Sequence, residues 1–435
     1  MILTIVIQIT NKLRRVNSSG LKLEILNYNK KVLHFDGINL LDIASNETPF
    51  YLYSENKILS NLDEYQQGLT DVDSLVCYSV KANSSISILS LLSKKDCGFD
   101  IVSGGELSKV IKAGGNPSKV VFSGVGKTDE EIRFAIQNQI FCFNVESHSE
   151  LIRINKIASQ LKTKAQIAIR VNPAIDAKTH PYIATGMTEN KFGISENEVI
   201  NIYSEANKLG SIDIRGIDFH IGSQITELSP YINSCKKVKE IINKLSGLDI
   251  KLHHIDIGGG LAIKYENEKL TTKKEFMTSI KNDLSGLGLK IVIEPGRSLV
   301  GDAGIIVTKA LYIKKTPTKN FLIVDVGMND FLRPPLYGAF HSIREIEQKE
   351  TDSIKYDVVG PVCESSDFVG KDRTLSVEEG DYLAIENVGA YGFALSSNYN
   401  SRPRLAELMI TNGTVKTIRN KETLDQLTIN ENLDV

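Results

Sequence analysis

The sequence predicts an α/β protein in which a (β/α)₈ TIM-type barrel is followed by a mainly β, sandwich-like or barrel-like domain. Between about residues 75 and 295, eight short β-branched runs alternate with longer segments. Such alternation is typical of parallel strands joined by right-handed crossovers. After Gly301, strand-like runs follow one another with turn signals between them. A chain of 435 residues is long enough for one large domain and one smaller one.

The eight predicted barrel strands are short and apolar, and they cover residues 75–80, 99–102, 120–123, 141–145, 166–171, 214–220, 252–257 and 291–294. The segments between them are long enough for one helix each. Residues 130–137 and 231–245 carry the apolar spacing of an amphipathic helix. Eight such units favour a closed barrel. An open, doubly wound sheet is the alternative.

The C-terminal domain is predicted from the runs 305–313, 321–326, 382–386 and 408–411, with a hairpin turn at Asn412-Gly413. The strand-like stretch 21–34 precedes the barrel and could pair with this domain. We therefore predict an N-terminal extension over residues 1–20 and strands packing on the β domain over 21–48. The barrel is predicted over 49–300 and the β domain over 301–435.

Composition excludes several classes of function. The net charge of -2 gives no basic footprint for nucleic acid or for an anionic membrane surface. The five cysteines are scattered and form no C-x-x-C pair, which argues against a disulfide framework and a zinc site. The apolar run at the N-terminus has no positive charges before it and is too short to span a membrane. These observations predict a cytoplasmic protein without a metal site.

Residues suited to chemistry follow the C-terminal ends of the predicted barrel strands. They are Lys81, Asp100, Ser103, Asn172, His220, the glycines 258–260 and Glu294. The C-terminal mouth is where active sites are built in this fold. The convergence of so many such residues is the main argument from the residues alone for an enzyme.

Lys81 stands in YSVKAN, directly after the first predicted strand. Burial disfavours an ammonium group, so we expect a lowered pKa for a lysine among apolar neighbours. A neutral amine can attack an aldehyde and bond to it covalently. The alternative is an ordinary lysine whose side chain extends from the strand end to solvent.

Two glycine-containing turns follow adjacent strands. Gly258, Gly259 and Gly260 come after LHHIDI, and Gly296 lies in EPGR. Backbone N–H groups in such turns can close on an anion, and phosphate sites after strands seven and eight recur in barrels. Ser223 could add a hydroxyl. Plain flexible turns are the alternative, but two turns on neighbouring strands favour a phosphate site.

Glu294 and His220 are suited to an aromatic cofactor ring. A carboxylate facing a pyridine nitrogen favours the protonated ring, which is the better electron sink. An imidazole can lie flat against such a ring. The alternatives are a Glu294 carboxylate paired with Arg297 and a hydrogen-bonded core histidine.

The β domain contributes three unusual loop segments, RPPLYG at 333–338, GPVCESSD at 360–367 and GAYG at 389–392. Cys363 could donate a proton, and Glu364 could bind an ammonium group. A small side chain in the core and a solvated carboxylate are the structural alternatives.

Taken together, YSVKAN, FDIVSGGEL, HIGSQ, DIGGG, EPGR, GPVCESSD and GAYG stand in the order found in the alanine-racemase-like, barrel-type pyridoxal phosphate decarboxylases. The resemblance runs from about residue 25 to 415. Within that group the sequence is similar to the diaminopimelate decarboxylases. It implies pyridoxal 5'-phosphate as cofactor and decarboxylation of meso-2,6-diaminopimelate to L-lysine, the last step of lysine biosynthesis.

The resemblance also implies a role for each site residue. Lys81 would carry the cofactor covalently, His220 would stack on its ring and Glu294 would bind the ring nitrogen. The phosphate would be surrounded by Ser223, Gly259, Gly260, Gly296 and Tyr391. The far end of the substrate would be held by Arg297, Arg333, Tyr337 and Glu364, with Tyr391 nearby. The family fold implies a head-to-tail homodimer in which Cys363 and Glu364 come from the partner subunit.

Two alternatives remain at this point. A related decarboxylase of ornithine, arginine or carboxynorspermidine would act on a substrate whose far end is cationic, whereas Arg297 and Arg333 suit a carboxylate. A pyridoxal phosphate-binding protein without activity would be expected to lack the proton donor or the far-end ligands. The sequence leaves open whether Cys363 or Lys81 reprotonates the substrate carbon.

Overall fold

The computed structural model describes residues 25–176 and 191–433. The predicted N-terminal extension, residues 1–20, lies outside the described residues. The strands are β1 (Leu26–Asn29), β2 (Val32–Phe35), β3 (Ile38–Asn39), β4 (Phe50–Ser54), β5 (Ser74–Ser79), β6 (Gly98–Ile101), β7 (Val120–Phe122), β8 (Cys142–Val145), β9 (Ala165–Asn172), β10 (Ile194–Ser195), β11 (Ile212–Asp218), β12 (His254–Asp256), β13 (Lys290–Ile293), β14 (Gly304–Lys315), β15 (Asn320–Val324), β16 (Ile343–Glu345), β17 (Ile354–Val359), β18 (Phe368–Leu375), β19 (Tyr382–Ile385), β20 (Ala406–Thr411) and β21 (Thr414–Arg419).

The α-helices of the described residues lie mostly between the barrel strands. They are α1 (Leu40–Ala44), α2 (Glu55–Gly68), α3 (Ile86–Ser93), α4 (Gly104–Lys112), α5 (Asp129–Gln137), α6 (His148–Gln160), α7 (Glu196–Ala206), α8 (Ser229–Ser246), α9 (Lys273–Leu284), α10 (Arg297–Val300) and α11 (Arg333–Tyr337). None of the helices within residues 25–176 and 191–433 is both long enough and apolar enough to cross a membrane.

The closed barrel is confirmed. Parallel pairing runs through β5, β6, β7, β8, β9, β11, β12 and β13, and β13 pairs back with β5. Each predicted barrel strand overlaps an observed one, with bounds that agree to about two residues. The strands are buried along most of their length because helices cover the outside of the barrel.

Short polar side chains set the starts of several helices and so fix the loops at the barrel mouth. Thr128 and Glu131 form a reciprocal capping box at the start of α5, and Thr272 and Glu275 form another at α9. Ser103 caps α4 by accepting a hydrogen bond from the Glu106 N–H at 3.2 Å. Ser103 therefore has a structural role at the end of β6.

The C-terminal domain is a nine-stranded sheet whose main path is β18-β17-β15-β14-β4-β20-β21. Asn412 and Gly413 both have positive φ angles of 51° and 72° and close the β20–β21 hairpin, as their sequence predicts. Strand β4 lies inside this sheet, between β14 and β20. The barrel limit predicted at residue 49 is therefore too early, because the chain passes through the C-terminal sheet before it enters α2.

The N-terminal stretch forms the three-stranded antiparallel sheet β1-β2-β3. Lys30 and Lys31 have positive φ angles of 48° and 71° and turn the chain between β1 and β2. Leu33 and Phe35 share a buried cluster with Ile305 and other residues of the C-terminal sheet. The Leu33 N–H also donates to the Ile346 carbonyl at 2.8 Å. Strand β2 thus packs on the C-terminal sheet.

Candidate active site

Lys81 lies in a short turn directly after β5, at the barrel mouth. Its Nζ donates to Asp100 Oδ2 at 3.0 Å, and Asp100 is fully buried at the end of β6. Burial by itself would lower the pKa of Lys81, but the carboxylates of Asp100 and Glu294 outweigh it and raise this pKa above its ordinary value. The expectation of a lowered pKa for Lys81 is therefore wrong. The ammonium is held and aimed by a carboxylate.

Glu294 follows β13 and is buried with two other carboxyl groups. One oxygen each of Asp218, Asp256 and Glu294 lie within 4.8 Å of one another. Burial, Asp100 and Asp256 raise the pKa of Glu294 well above its ordinary value, and burial raises the pKa of Asp256 to about 6. Glu294 Oε1 has only long contacts, with Ser123 and Asn144 at 3.5 Å each. The raised pKa lets this carboxyl group hold a proton, and Asp256 forms a side-chain hydrogen bond with it.

The alternative pairing of Glu294 with Arg297 is not observed. Arg297 donates through Nη1 to the Tyr265 hydroxyl at 2.7 Å and through Nη2 to Ser223 Oγ at 3.1 Å. Its guanidinium also lies 5.0 Å from the centre of the Tyr391 ring. Burial by itself would lower the pKa of Arg297, but Tyr265 and Tyr391 raise it on balance.

His220 has a fixed orientation and is uncharged. The Gly259 N–H donates to His220 Nδ1 at 3.1 Å, so Nδ1 is the acceptor and the ring proton is assigned to Nε2. Burial, with Arg170 and Lys81 nearby, lowers the pKa of His220 well below its usual value. A neutral imidazole at the barrel mouth can pack flat against an aromatic ring without adding charge.

The two glycine turns leave no room for side chains. A Cβ on Gly259 would lie 2.0 Å from the Glu294 carbonyl oxygen, and one on Gly260 would lie 2.2 Å from the Gly222 carbonyl oxygen. Gly260 also has a φ of +107°. A Cβ on Gly296 would approach Ser79 Cβ at 3.0 Å. Only glycine lets these backbone segments approach so closely, and this is the requirement for a backbone cradle around a small anion.

Arg333 begins α11 and is held by His341. Its Nε donates to His341 Nε2 at 3.3 Å, and His341 Nδ1 contacts the Glu386 carbonyl oxygen at 2.8 Å. Burial lowers the pKa of His341 to about 3, so the imidazole stays neutral and can accept from Arg333. The Arg333 guanidinium also lies 5.2 Å from the centre of the Tyr265 ring and 5.9 Å from that of the Tyr337 ring. Arg297, Arg333 and Tyr337 line this cavity of about 180 Å³ together with Tyr265.

Tyr391 connects the β domain with the lysine turn. Its φ of 57° is unusual for a tyrosine, and its N–H donates to the Ala82 carbonyl at 2.7 Å. The ring reaches the guanidinium of Arg297. The GAYG segment is thus brought to the barrel mouth, next to Lys81.

Cys363 and Glu364 lie apart from this group and are exposed. The backbone of Cys363 is anchored by a hydrogen bond that its N–H donates to Asn400 Oδ1 at 2.9 Å. The Tyr399 hydroxyl donates to Glu364 Oε2 at 3.2 Å. Neither residue lines the cavity of Arg297 and Arg333. Of the residues predicted to hold cofactor or substrate, all but these two lie at the barrel mouth or line this cavity within one chain.

Sequence reasoning missed four buried residues of the site. Tyr265 and His341 hold the two arginines, while Asp218 and Asp256 surround Glu294. Asp256 stands two residues before the glycine turn and Asp218 two residues before His220, so period-two alternation in these strands could have revealed both. No local signal distinguishes Tyr265 or His341 from core residues.

The donor set fits pyridoxal phosphate. Lys81 offers an amine, His220 a flat neutral ring and Glu294 a buried carboxyl group at the end of β13. The glycine turns offer a cradle that a Cβ would fill.

Comparisons with known proteins agree with this geometry. Residues 55–301 match the model of the pyridoxal-dependent decarboxylase family, pyridoxal binding domain. The diaminopimelate decarboxylase of Pseudomonas aeruginosa is 42% identical over 412 residues, covering 94% of this chain and 99% of the relative.

Two solved structures are also similar. Diaminopimelate decarboxylase from Helicobacter pylori, complexed with L-lysine, superposes with a TM-score of 0.87 at 47% identity and covers 90% of this chain and 98% of its own. The enzyme from M. jannaschii, also in complex with L-lysine, gives a TM-score of 0.90 at 36% identity and covers 94% and 98%. The chain belongs to the barrel-type pyridoxal-dependent decarboxylases and, among them, to the diaminopimelate decarboxylase family.

Proposed function

We propose that this protein uses pyridoxal 5'-phosphate to convert meso-2,6-diaminopimelate into L-lysine and CO₂, the last step of lysine biosynthesis. The five cysteines are all unpaired, four of them buried, which supports a reducing compartment such as the cytoplasm. The substrate carries an ammonium and a carboxylate at each end. One end must reach Lys81 and the other must be recognised at a distance.

The observation that carries the choice of substrate is a pair of buried arginines. Arg297 and Arg333 are each 6% exposed, and both line the same cavity. Within the described parts of the chain, their hydrogen bonds go to hydroxyls and an imidazole, and none of the ion pairs involves either of them. Burying two cations without a carboxylate partner costs folding free energy unless an anion binds between them. A substrate with a carboxylate at its far end supplies that anion.

A substrate with a purely cationic far end is disfavoured by the same geometry. Ornithine or arginine would bring an additional positive charge towards Arg297 and Arg333. Like charges in a poorly solvated pocket repel and leave both guanidiniums unpaired. The cavity therefore favours diaminopimelate over the substrates of the related decarboxylases.

We propose the following roles for the residues of the chain. Pyridoxal phosphate, once bound, supplies the electron sink of the reaction. Lys81 would attach it, His220 would pack on its ring and Glu294 would hold the proton at the ring nitrogen. The phosphate would lie among Ser223, Gly259, Gly260, Gly296 and Tyr391. Arg297, Arg333 and Tyr337 would bind the far carboxylate and so orient the bond that breaks.

We propose that Cys363 and Glu364 act in the site of a partner subunit. Both are exposed and lie away from the cavity of their own chain, although a proton donor and an ammonium ligand are needed there. A two-fold dimer would bring the Cys363 and Glu364 of each subunit over the barrel mouth of the other subunit through one self-complementary contact. Cys363 or Lys81 would then return a proton to the substrate carbon after CO₂ leaves.

Arg333→Ala tests the far-end assignment. Loss of a buried, charged hydrogen bond to the substrate costs about 2–5 kcal/mol, so kcat/KM for diaminopimelate should fall roughly 30-fold to several thousand-fold. Glu364→Ala should weaken recognition of the ammonium at the same end. The measurement is the rate with each of four substrates: diaminopimelate, ornithine, arginine and lysine. The product is identified in each case.

Arg344→Ala is the matched control. Arg344 is in the same domain but is partly exposed and already pairs with Glu386 at 2.7 Å. Its loss should leave kcat/KM close to that of the wild type. If Arg333→Ala handles diaminopimelate as well as the wild type does, the far-end carboxylate is bound elsewhere and the choice of substrate is wrong.

Mixing two inactive variants tests the shared site. Lys81→Ala and Cys363→Ala should each be nearly inactive alone. After subunit exchange, half of the dimers should be hybrids, in which one site carries both lesions and the other carries neither. Activity should recover to about a quarter of the wild-type value under random two-fold pairing. No recovery despite proven exchange would mean that each site is built within one chain.

A further inference from the structure

Two loops of the β domain are joined through one buried carboxylate. We call residues 327–338 the arginine loop, since they lead into Arg333, and residues 360–367 the cysteine loop, since they carry Cys363 and Glu364. Asp367, at the end of the cysteine loop, is 4% exposed. It is not among the residues assigned to either substrate or cofactor.

The Asp367 carboxylate accepts one backbone N–H from each loop. Its Oδ1 accepts from the Met328 N–H at 2.6 Å, and its Oδ2 accepts from the Val362 N–H at 2.6 Å. Both distances are short, as expected for hydrogen bonds to a charged acceptor. A carboxylate is the only common side chain that can accept at two oxygens in this way.

The packing around this carboxylate is close. A Cβ on Gly360 would lie 2.5 Å from Asp367 Oδ2 and 2.6 Å from Gly327 Cα. The Asp367 N–H donates to the Glu364 carbonyl at 3.1 Å, which closes the cysteine loop on itself. The Gly327 N–H donates to Asp330 Oδ2 at 3.0 Å, which closes the arginine loop. Each loop is therefore closed by a hydrogen bond of its own, and the Asp367 carboxylate links one loop to the other.

We infer that Asp367 is a positioning residue that places the arginine loop for its own barrel and the cysteine loop for the partner's barrel. This inference rests on the proposed shared site. Arg333 is buried in the cavity of its own chain, whereas Cys363 and Glu364 are exposed. One carboxylate thus aligns parts of two different sites, and a displacement of about 1 Å in such parts is enough to slow a reaction markedly.

Asp367→Asn separates the two effects when it is placed in defined hybrid dimers, purified through a different tag on each chain. In the own-loop hybrid, a Lys81→Ala chain is paired with an Asp367→Asn chain. The only working barrel then has an altered arginine loop and a normal cysteine loop from its partner. In the partner-loop hybrid, a chain with both substitutions is paired with a wild-type chain. The working barrel then has a normal arginine loop and an altered cysteine loop.

The two hybrids should differ in their kinetic constants. The amide of asparagine can accept only one of the two N–H groups. The other buried N–H is left without an acceptor, which lowers the equilibrium constant for the correctly placed loop by a factor of roughly five to a hundred. The own-loop hybrid should show a KM for diaminopimelate raised by about this factor with little change in kcat, since Arg333 binds the far end. The partner-loop hybrid should show a kcat lowered by a similar factor, since Cys363 serves the proton transfer.

Controls distinguish positioning from loss of stability. Asp357 is also a buried carboxylate of this domain; it lies in β17 and accepts the Asp372 N–H of β18 at 3.0 Å, outside both loops. Asp357→Asn should change thermal stability without changing KM or kcat in either hybrid. The absorbance of bound cofactor should be unchanged in all hybrids, because the residues proposed to hold it are intact in the working barrel.

Each result decides a different point. If complementation between Lys81→Ala and Cys363→Ala fails, the shared site and the partner half of this inference are both wrong. If complementation succeeds but only one hybrid, or neither, is impaired, the shared site stands and Asp367 does not join the loops. Should Asp367→Asn fail to fold, Gly360→Ala displaces the same carboxylate without removing it and must give the same pair of changes.

Discussion

Replacing Lys81 with alanine should abolish covalent attachment of pyridoxal phosphate and nearly all activity. Lys81 is at the end of β5, with Nζ 3.0 Å from Asp100 Oδ2, and lies in the same barrel mouth as the glycine turns. Loss of a covalent nucleophile costs on the order of 10³-fold to 10⁶-fold in kcat in well-studied enzymes. Borohydride reduction of the wild-type holoenzyme, followed by peptide mapping, should place the pyridoxyl group on Lys81.

Lys127 is the matched control for this assignment. It also follows a barrel strand, is 6% exposed, and donates to Glu150 Oε1 at 2.6 Å and to two backbone carbonyls. A second buried lysine at the same end of the barrel therefore exists, but all three of its donors are used. A pyridoxyl label on Lys127, or on any other lysine, would show that Lys81 has been assigned wrongly.

Glu294→Gln should retain the cofactor but reduce kcat by about 10²–10³-fold, the usual effect of losing one well-placed electrostatic group. In the wild type, burial and the carboxylates of Asp100 and Asp256 raise the pKa of Glu294. In the proposed role it would share a proton with the ring nitrogen of the cofactor. A glutamine would instead donate its own N–H and stabilise the unprotonated ring. The absorbance of bound cofactor and the single-turnover rate measure the two effects separately.

Glu150→Gln provides the comparison for Glu294→Gln. Glu150 is 9% exposed and belongs to the same barrel, but it pairs with Lys127 rather than facing the proposed ring. The Glu150→Gln variant should be less stable than the wild type but should keep the same turnover per bound cofactor. Near-normal turnover in Glu294→Gln would show that the ring nitrogen has a different partner.

Much of the fold could be predicted because barrel strands and helices depend on local patterns. Each β-branched run became a strand, and the two segments with clear helical spacing, 130–137 and 231–245, became α5 and α8. The strand β4 could not be assigned to its sheet in this way. Its sequence FYLYS is as apolar as a barrel strand, and only pairing with β14 and β20 decides its place.

The position of a residue at the barrel mouth was predictable where it stands at a strand end, because the fold itself brings those ends together. Lys81, His220 and Glu294 are of this kind, and the glycines belong to turns that only glycine can form. The ionisation of Lys81 was predicted wrongly. Apolar neighbours in the sequence suggested a lowered pKa, whereas Asp100, nineteen residues away, raises it.

The sequence by itself determined the barrel, the positions of the reactive groups along it and the family. Periodicity, glycine turns and the order of motifs can all be read directly from the sequence. Only the tertiary structure decided which polar groups are in contact. Arg297 bonds to Tyr265 and not to Glu294, and Asp218 and Asp256 lie close to Glu294. Asp367 accepts hydrogen bonds from two different loops. These contacts join residues distant along the chain, and electrostatic energy depends on distance in space and on burial, which no local pattern records.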